Sequence, residues 1–207
     1  MGYSICRKLC LPLHEQSSIS TSYSGKNFLR YLKGTIDHDI FFPANDTGEL
    51  SIFTDADWAG EIDSRRSTSG ILYKLGSSPI AWSSKLQPTL ALSSIEAEYR
   101  VLSEAARNIT YFRRLLDELK IGNSSPTPIF CDNLSSIKLV RNPVMHQRTK
   151  HIELEHHYIR EKYDDGTIVI TYVPTHSQQA DLLTKPLASN QFITNRDLTG
   201  LRPVPKH

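Results

Sequence analysis

The sequence predicts an α/β protein: a mixed five-stranded sheet with flanking helices. Three observations carry this. Three strand-like segments follow one another between residues 49 and 83, a single long helical period comes next, and helix and strand then alternate to residue 187. Strands first, then alternating helices and strands, require a sheet with helices packed on it.

Each element has its own local reason. Residues 1–26 show no clear period and end in "SSISTSYSGK", so an irregular segment is expected. "NFLRYLKGT" at 27–35 reads as the tail of a helix closed by Gly34. Strands are expected at 49–55, 69–75 and 78–83, the last two joined by a short Gly/Ser turn into an antiparallel meander. "SSIEAEYRVLSEAARNITYFRRLLDELK" has the spacing of one long helix. A short apolar strand at 127–132 ("TPIFCD") leads into a short helix ending near Val140. "RTKHIELEHHYIREKYDDG" reads as a helix, 167–173 as the fifth strand, and "SQQADLLTKPL" as a last helix. Residues 194–207, like 1–26, are expected to pack poorly. The chain has no internal repeat and no low-complexity tract.

Composition excludes several classes. At 207 residues, 39% hydrophobic and 22% charged, the chain is an ordinary globular one with length for a sizeable core. A formal net charge of +2 means that any nucleic-acid contact must come from local basic patches. Cys6, Cys10 and Cys131 are too few and too oddly placed for a disulfide framework, which points to a reducing compartment. No apolar run approaches membrane-spanning length, and the start "MGYSICRKLCLPLHEQ" lacks the apolar core of a signal peptide. Cys6 stands where a myristoylation motif wants Ser or Thr. A cytoplasmic or nuclear protein is expected, neither secreted nor membrane-bound.

The acidic residues are the anomaly. "FTDADWAG" at 53–60 ends a strand in two aspartates, although Asp is a poor strand former and like charges on one face repel. On the long helix, Ile95, Leu102, Ala105, Ile109, Phe112 and Leu116 fall on one side at 100° steps, with Glu98 near the centre of that stripe. A carboxylate buried among apolar residues needs a partner. Glu96 falls on the far side and has ordinary work, since Ser93 and Glu96 have capping-box spacing. Asp132 ends an apolar strand and Asp181 starts the last helix. Taken singly, these two read equally well as a helix cap and a dipole partner. Asp55, Glu98, Asp132 and Asp181 in one cleft would repel one another unless they surround hard divalent cations. Mg²⁺ prefers oxygen ligands, and a pair of such ions clamps the oxygens of a phosphoryl displacement.

Asp, Glu, Asp, Asp in this order of strands and helices resembles the ribonuclease H family. The wording resembles more closely the ribonuclease H domain of copia-type retrotransposon Pol polyproteins. The stretches that carry it are "LRYLKGT", "FTDADWAGEIDSRRSTSGILYKLGSSPIAWSSKLQ", "SSIEAEYRVLSEAARNITYFRRLL", "IFCDNLSSI", "RTKHIELEHHYIRE" and "YVPTHSQQADLLTKPL", between residues 29 and 187. The resemblance implies two Mg²⁺ ions, with Mn²⁺ as a substitute, and cleavage of the RNA strand of an RNA·DNA hybrid. It implies metal-binding carboxylates at Asp55, Glu98, Asp132 and Asp181, and an assisting role for His176 in proton transfer or product release. It assigns Asp55 to the first catalytic aspartate and leaves Asp57 a supporting place. It further implies that 49–187 is the ribonuclease H-like domain, that 27–48 is the end of a reverse transcriptase otherwise absent from this chain, and that 188–207 is a tail. Residues 1–26 match nothing in the family.

Other features weigh less. Arg65 and Arg66, shortly after the first strand, are candidate phosphate contacts, with a charged turn as the even alternative. His151 and Glu155 have i,i+4 spacing suited to zinc, but Arg148, Lys150, Arg160 and Lys162 on the same stretch favour a solvated or nucleic-acid-facing helix. Trp58 and Trp82 read as core, and Cys6 and Cys10 lack further ligands. Two alternatives stand beside the nuclease: a catalytically silent remnant that folds and at most binds nucleic acid, and another nuclease or transposase-like member of the same fold. Integrase-like relatives use three carboxylates, so the fourth at Asp181 favours ribonuclease H.

Overall fold

Strand β2 (Leu50–Asp57) sits at the centre of the sheet and shows why it forms there. Ile52, Thr54 and Ala56 point to one face and Phe53, Asp55 and Asp57 to the other, as strand geometry requires. In a computed structural model of the chain, residue 29 and residues 33–122, 124–142 and 153–204 are described, the side chains of 153–156 excepted. After the short β1 (His38–Ile40) and β2 come β3 (Thr68–Leu75), β4 (Ser78–Leu86), α1 (Ser94–Glu118), β5 (Thr127–Cys131), α2 (Leu134–Arg141), α3 (Glu153–Asp164) and β6 (Ile168–Tyr172). Two 3₁₀ segments follow, Thr175–Ser177 and Gln179–Leu183, then α4 (Ser189–Leu198) and β7 (Leu201–Pro203).

The five-stranded sheet has the order β4-β3-β2-β5-β6. β2, β3 and β4 pair antiparallel, whereas β5 runs parallel to β2 and β6 parallel to β5. It is the expected mixed sheet, and all five expected strand positions carry strands. Parallel pairing brings the C-terminal ends of β2, β5 and β6 to one edge, which places the site.

One face of the sheet is covered by α1. Val101, Leu102, Ala105, Ala106 and Ile109 are fully buried against Ile52, Ile71, Ile129 and Ile170. Each Val, Leu or Ile among them contributes about 1.5–3 kcal/mol by leaving water. Ser93 caps α1, its hydroxyl accepting from the Glu96 N–H at 3.1 Å. The stripe is rotated slightly from expectation: Ile95 is exposed and Phe112 half-buried. The opposite face is smaller, with Phe53 stacked on Phe130 at 4.7 Å and packed with Leu72, Ala180 and Leu183.

Two expectations are corrected. "SQQADLLTKPL" forms 3₁₀ turns rather than an α-helix: the Asp181 N–H reaches Gln178 O and the Thr184 N–H reaches Asp181 O, both three residues back. Gln178 accounts for the tight path, because its buried side chain donates to Thr54 O at 2.9 Å and pins the segment to β2. Residues 194–204 are not poorly packed: β7 pairs with β1, and Asn195, Thr199 and Leu201 are buried. The expectation for 1–26 lies outside the described residues. No described helix is long and apolar enough to cross a membrane.

Candidate metal centre

The site forms where the C-terminal edge of the sheet meets the start of α1. Asp55 lies two residues before the end of β2 and is 2% exposed. Glu98 lies in the first turns of α1, 5% exposed, and Asp132 follows the last residue of β5. Asp181 is fully buried in the second 3₁₀ segment. Four separate elements thus deliver four carboxyls to one edge.

Close packing makes this possible at Gly70, which pairs with Asp55 across the β2–β3 ladder. A Cβ at Gly70 would lie 2.5 Å from Thr184 Cγ2 and 3.0 Å from Ala180 O. Only glycine lets the second 3₁₀ segment approach so near. Thr184 then donates its hydroxyl to Asp55 Oδ2. Lys185 places its ammonium 3.4 Å from Asp55 Oδ1 and 2.9 Å from Asp181 Oδ1. Across the sheet edge, Glu98 Oε1 accepts the Ala56 N–H at 3.1 Å, and Asp132 Oδ2 accepts the Thr175 hydroxyl at 2.8 Å.

The carboxyls feel one another. Burial pushes Glu98 well above its ordinary value, and the charges of Asp55 and Asp132 push it further. Burial, then Asp55, raises Asp181 to about 7. Burial raises Asp55 as well, opposed by Lys185 and the Thr184 hydroxyl. Lys185 is raised despite its burial, because Asp55 and Asp181 hold its proton. Asp57 is half-buried, raised first by burial, and close enough to feel Asp55 and Lys185.

The residues fit a hard divalent cation. Asp181 Oδ2 is buried with no hydrogen-bond partner among the described residues, and Oδ1 meets the Lys185 ammonium at 2.9 Å. Orphaned buried carboxylate oxygens are costly unless an ion satisfies them. Glu98, Cys131 and Asp132 bring one ligand atom each within 4.8 Å of one another. Burial, followed by the Glu98 charge, holds the Cys131 thiol protonated well above its ordinary value. Oxygen donors therefore dominate, the preference of Mg²⁺ and Mn²⁺.

The remaining expected residues fall as follows. His176 is exposed in the first 3₁₀ segment, next to the Thr175 that bonds Asp132. Arg65 and Arg66 lie in the loop leaving β2, Arg65 exposed and Arg66 held at Nε by the Ser64 hydroxyl at 3.1 Å. Glu96 is apart from the cluster, accepting the Leu92 N–H at 2.9 Å and pairing with Arg100 at 2.6 Å. Trp58 is exposed rather than core, its indole donating to Ala91 O at 3.0 Å. Arg148, Lys150 and His151 lie outside the described residues. The sequence reading missed Lys185, Thr184, Thr175 and Cys131. The i,i+4 spacing of Asp181 and Lys185 was the available signal for the first.

No protein-family model matches the chain. It is 44% identical over 180 residues to the retrovirus-related Pol polyprotein from transposon RE2 of Arabidopsis thaliana, 87% of this chain and 12% of that protein. It is 42% identical over 180 residues to the corresponding polyprotein from transposon RE1 of the same plant, with the same coverage. It is 39% identical over 176 residues to that from transposon TNT 1-94 of Nicotiana tabacum, 85% of this chain and 13% of that protein. The chain thus spans about an eighth of the length of these relatives. Among solved structures, LC11-RNase H1, isolated from compost by a metagenomic approach, superposes with a TM-score of 0.51 at 16% identity, over 67% of this chain and 94% of that one. Its complex with an RNA/DNA hybrid gives 0.50 at 14% identity, over 66% and 94%.

Proposed function

This chain is a relative of the retrovirus-related Pol polyproteins with a ribonuclease H fold, and from that premise we propose that it is a metal-dependent endonuclease cutting the RNA strand of RNA·DNA hybrids. One observation carries the reading: Asp55, Glu98, Asp132 and Asp181, from four elements, gather at one sheet edge, where Asp181 Oδ2 is buried without a partner among the described residues and Oδ1 meets the Lys185 ammonium. The hybrid held by the fold neighbour LC11-RNase H1 supports the substrate class.

On this reading the four carboxylates hold Mg²⁺ or Mn²⁺, two ions in the full centre. Metal bound there supplies an activated water and charge stabilisation of the leaving 3′-oxygen. The chain's own residues do the rest. Thr184 and Thr175 fix the rotamers of Asp55 and Asp132 through their hydroxyls, so the oxygens are aimed before substrate arrives. Exposed His176, beside Thr175, takes or gives a proton at the product end. Arg65 and Arg66 are phosphate contacts of the hybrid on this reading, and Arg148 and Lys150 are further candidates by sequence. The hybrid is read by its shape and 2′-hydroxyls rather than by base sequence. The catalytic unit is 49–187, with 27–48 leading from a reverse transcriptase and 188–207 following it.

A labelled hybrid in Mg²⁺, run beside double-stranded RNA and double-stranded DNA, tests this. Cleavage of the hybrid's RNA strand alone is expected, and its loss on chelation. Binding of the hybrid without cleavage under any metal would show a silent remnant instead.

A further inference from the structure

Building on the metal-centre reading, we propose that Lys185 is a tethered counter-cation: its ammonium holds a place between Asp55 and Asp181 that an entering divalent ion must take from it. The ammonium contacts one oxygen of each aspartate, at 3.4 and 2.9 Å, and so bridges β2 to the second 3₁₀ segment. The two aspartates are buried, whereas the Lys185 side chain is 31% exposed. The ammonium therefore has a path to water on a flexible stem, and it can leave without backbone movement.

Lys74, a buried cation on the neighbouring strand β3, serves as contrast. Its ammonium is enclosed and donates to Gln179 Oε1 and Leu198 O, at 3.0 and 2.8 Å, neither of them charged. Lys74 ties neutral groups together, whereas the charged partners of the Lys185 ammonium among the described residues are the carboxylates of Asp55 and Asp181. A divalent ion needs those same oxygens, so metal and ammonium compete for one position. The metal-free chain is thereby spared part of the repulsion among its acids, and its affinity for metal falls in return. The centre loads weakly until something else, such as a nucleic-acid phosphate, offers the ammonium another anion.

Calorimetric titration of Mn²⁺ into the full chain, its Lys185→Gln and Lys185→Arg variants and Asp55→Asn decides the matter, with thermal melts in chelator alongside. Lys185→Gln should bind Mn²⁺ about tenfold more tightly, equivalent to about 1.4 kcal/mol. Its metal-free melting temperature should fall below the parent's, and its rise on adding metal should exceed the parent's. Lys185→Arg keeps the cation and should stay within about threefold of the parent. Lys185→Met serves if Lys185→Gln does not fold, with the same expectation. Equal or weaker binding by the neutral variants, while the parent binds and Asp55→Asn does not, overturns the competition and leaves the metal centre standing. Absence of binding by parent and variants alike overturns the metal centre, and this inference with it.

Discussion

At the scale of the residue, environment separates acids that the sequence places side by side. Glu96 and Glu98 are two positions apart, yet Glu96 sits at the helix cap with Arg100 and Glu98 is buried against the end of β2. The helical wheel made that division legible. The wheel of α1 carries no information about what Asp181 touches, and the signal for Lys185 lay instead in its i,i+4 spacing from Asp181. Asp55→Asn should abolish hybrid cleavage in a gel assay while circular dichroism and hybrid binding stay near the parent's. It removes one of several mutually repelling charges, so the metal-free melting temperature should hold or rise slightly. A second consequence is a pH dependence. Asp181 has a folded value of about 7 against an ordinary 3.8, so the folded state binds its proton more tightly than the unfolded state does. Its contribution to stability is fully present below about 4 and is lost as pH rises through about 7. Metal-free protein should therefore lose on the order of 2 kcal/mol between pH 5 and pH 8 by denaturant titration, and Asp181→Asn should flatten that slope. Mg²⁺ should restore stability at the upper end, where the carboxylates are ionised and bind it.

At the scale of the element, the strands and α1 were legible because each has a periodic pattern and its own punctuation. The two 3₁₀ segments were not. Their residues read as helical by composition, and what tightens them is tertiary: Gln178 bonded to Thr54 O, and the Ser84 hydroxyl bonded to Leu183 O at 2.6 Å. Nor did the sequence show that Gly70 lies against the segment that carries Asp181. Gly70→Ala tests that coupling of sheet and segment. Its Cβ would meet Ala180 O and Leu183 Cβ, each at 3.0 Å, besides the Thr184 methyl. The segment must shift outward, which withdraws Thr184 from Asp55 and moves Asp181 and Lys185. A loss of about 1–3 kcal/mol in stability is expected from the overpacking. Cleavage should fall by more than tenfold, because displacement of about 1 Å at a catalytic group is costly. Retention of full cleavage in a destabilised Gly70→Ala protein would separate the segment from the chemistry.

At the scale of the whole molecule, the two faces of the sheet do different work. The α1 face holds the large aliphatic core, and the other carries a thin layer that depends on the chain's last described residues. Leu201 and Thr199 close a small apolar cavity of about 20 Å³ lined by Leu72, Trp82, Leu182 and Leu183. Asn195 donates from its side chain to Gln178 O at 3.1 Å, and Leu198 O receives the Lys74 ammonium. These contacts hold both ends of the segment that carries Asp181. Low hydrophobicity in "SNQFITNRDL" hid this from the sequence, since the segment binds by buried polar groups rather than by an apolar stripe. Truncation after Leu187 removes α4 and β7, leaves β1 without its partner and uncovers Leu72 and Leu183. Leu201 accounts for about 2 kcal/mol of burial and the two hydrogen bonds for about 1 kcal/mol each. A melting temperature lower by about 10 °C is expected for a chain of this size. Amide hydrogen exchange across Gln179–Leu183 should accelerate far more than exchange in α1, because the loss falls on the thin face. Cleavage should drop with it even at temperatures where the truncated chain remains folded. If exchange in that segment and cleavage both matched the full chain, residues 188–207 would be a tail without bearing on the site.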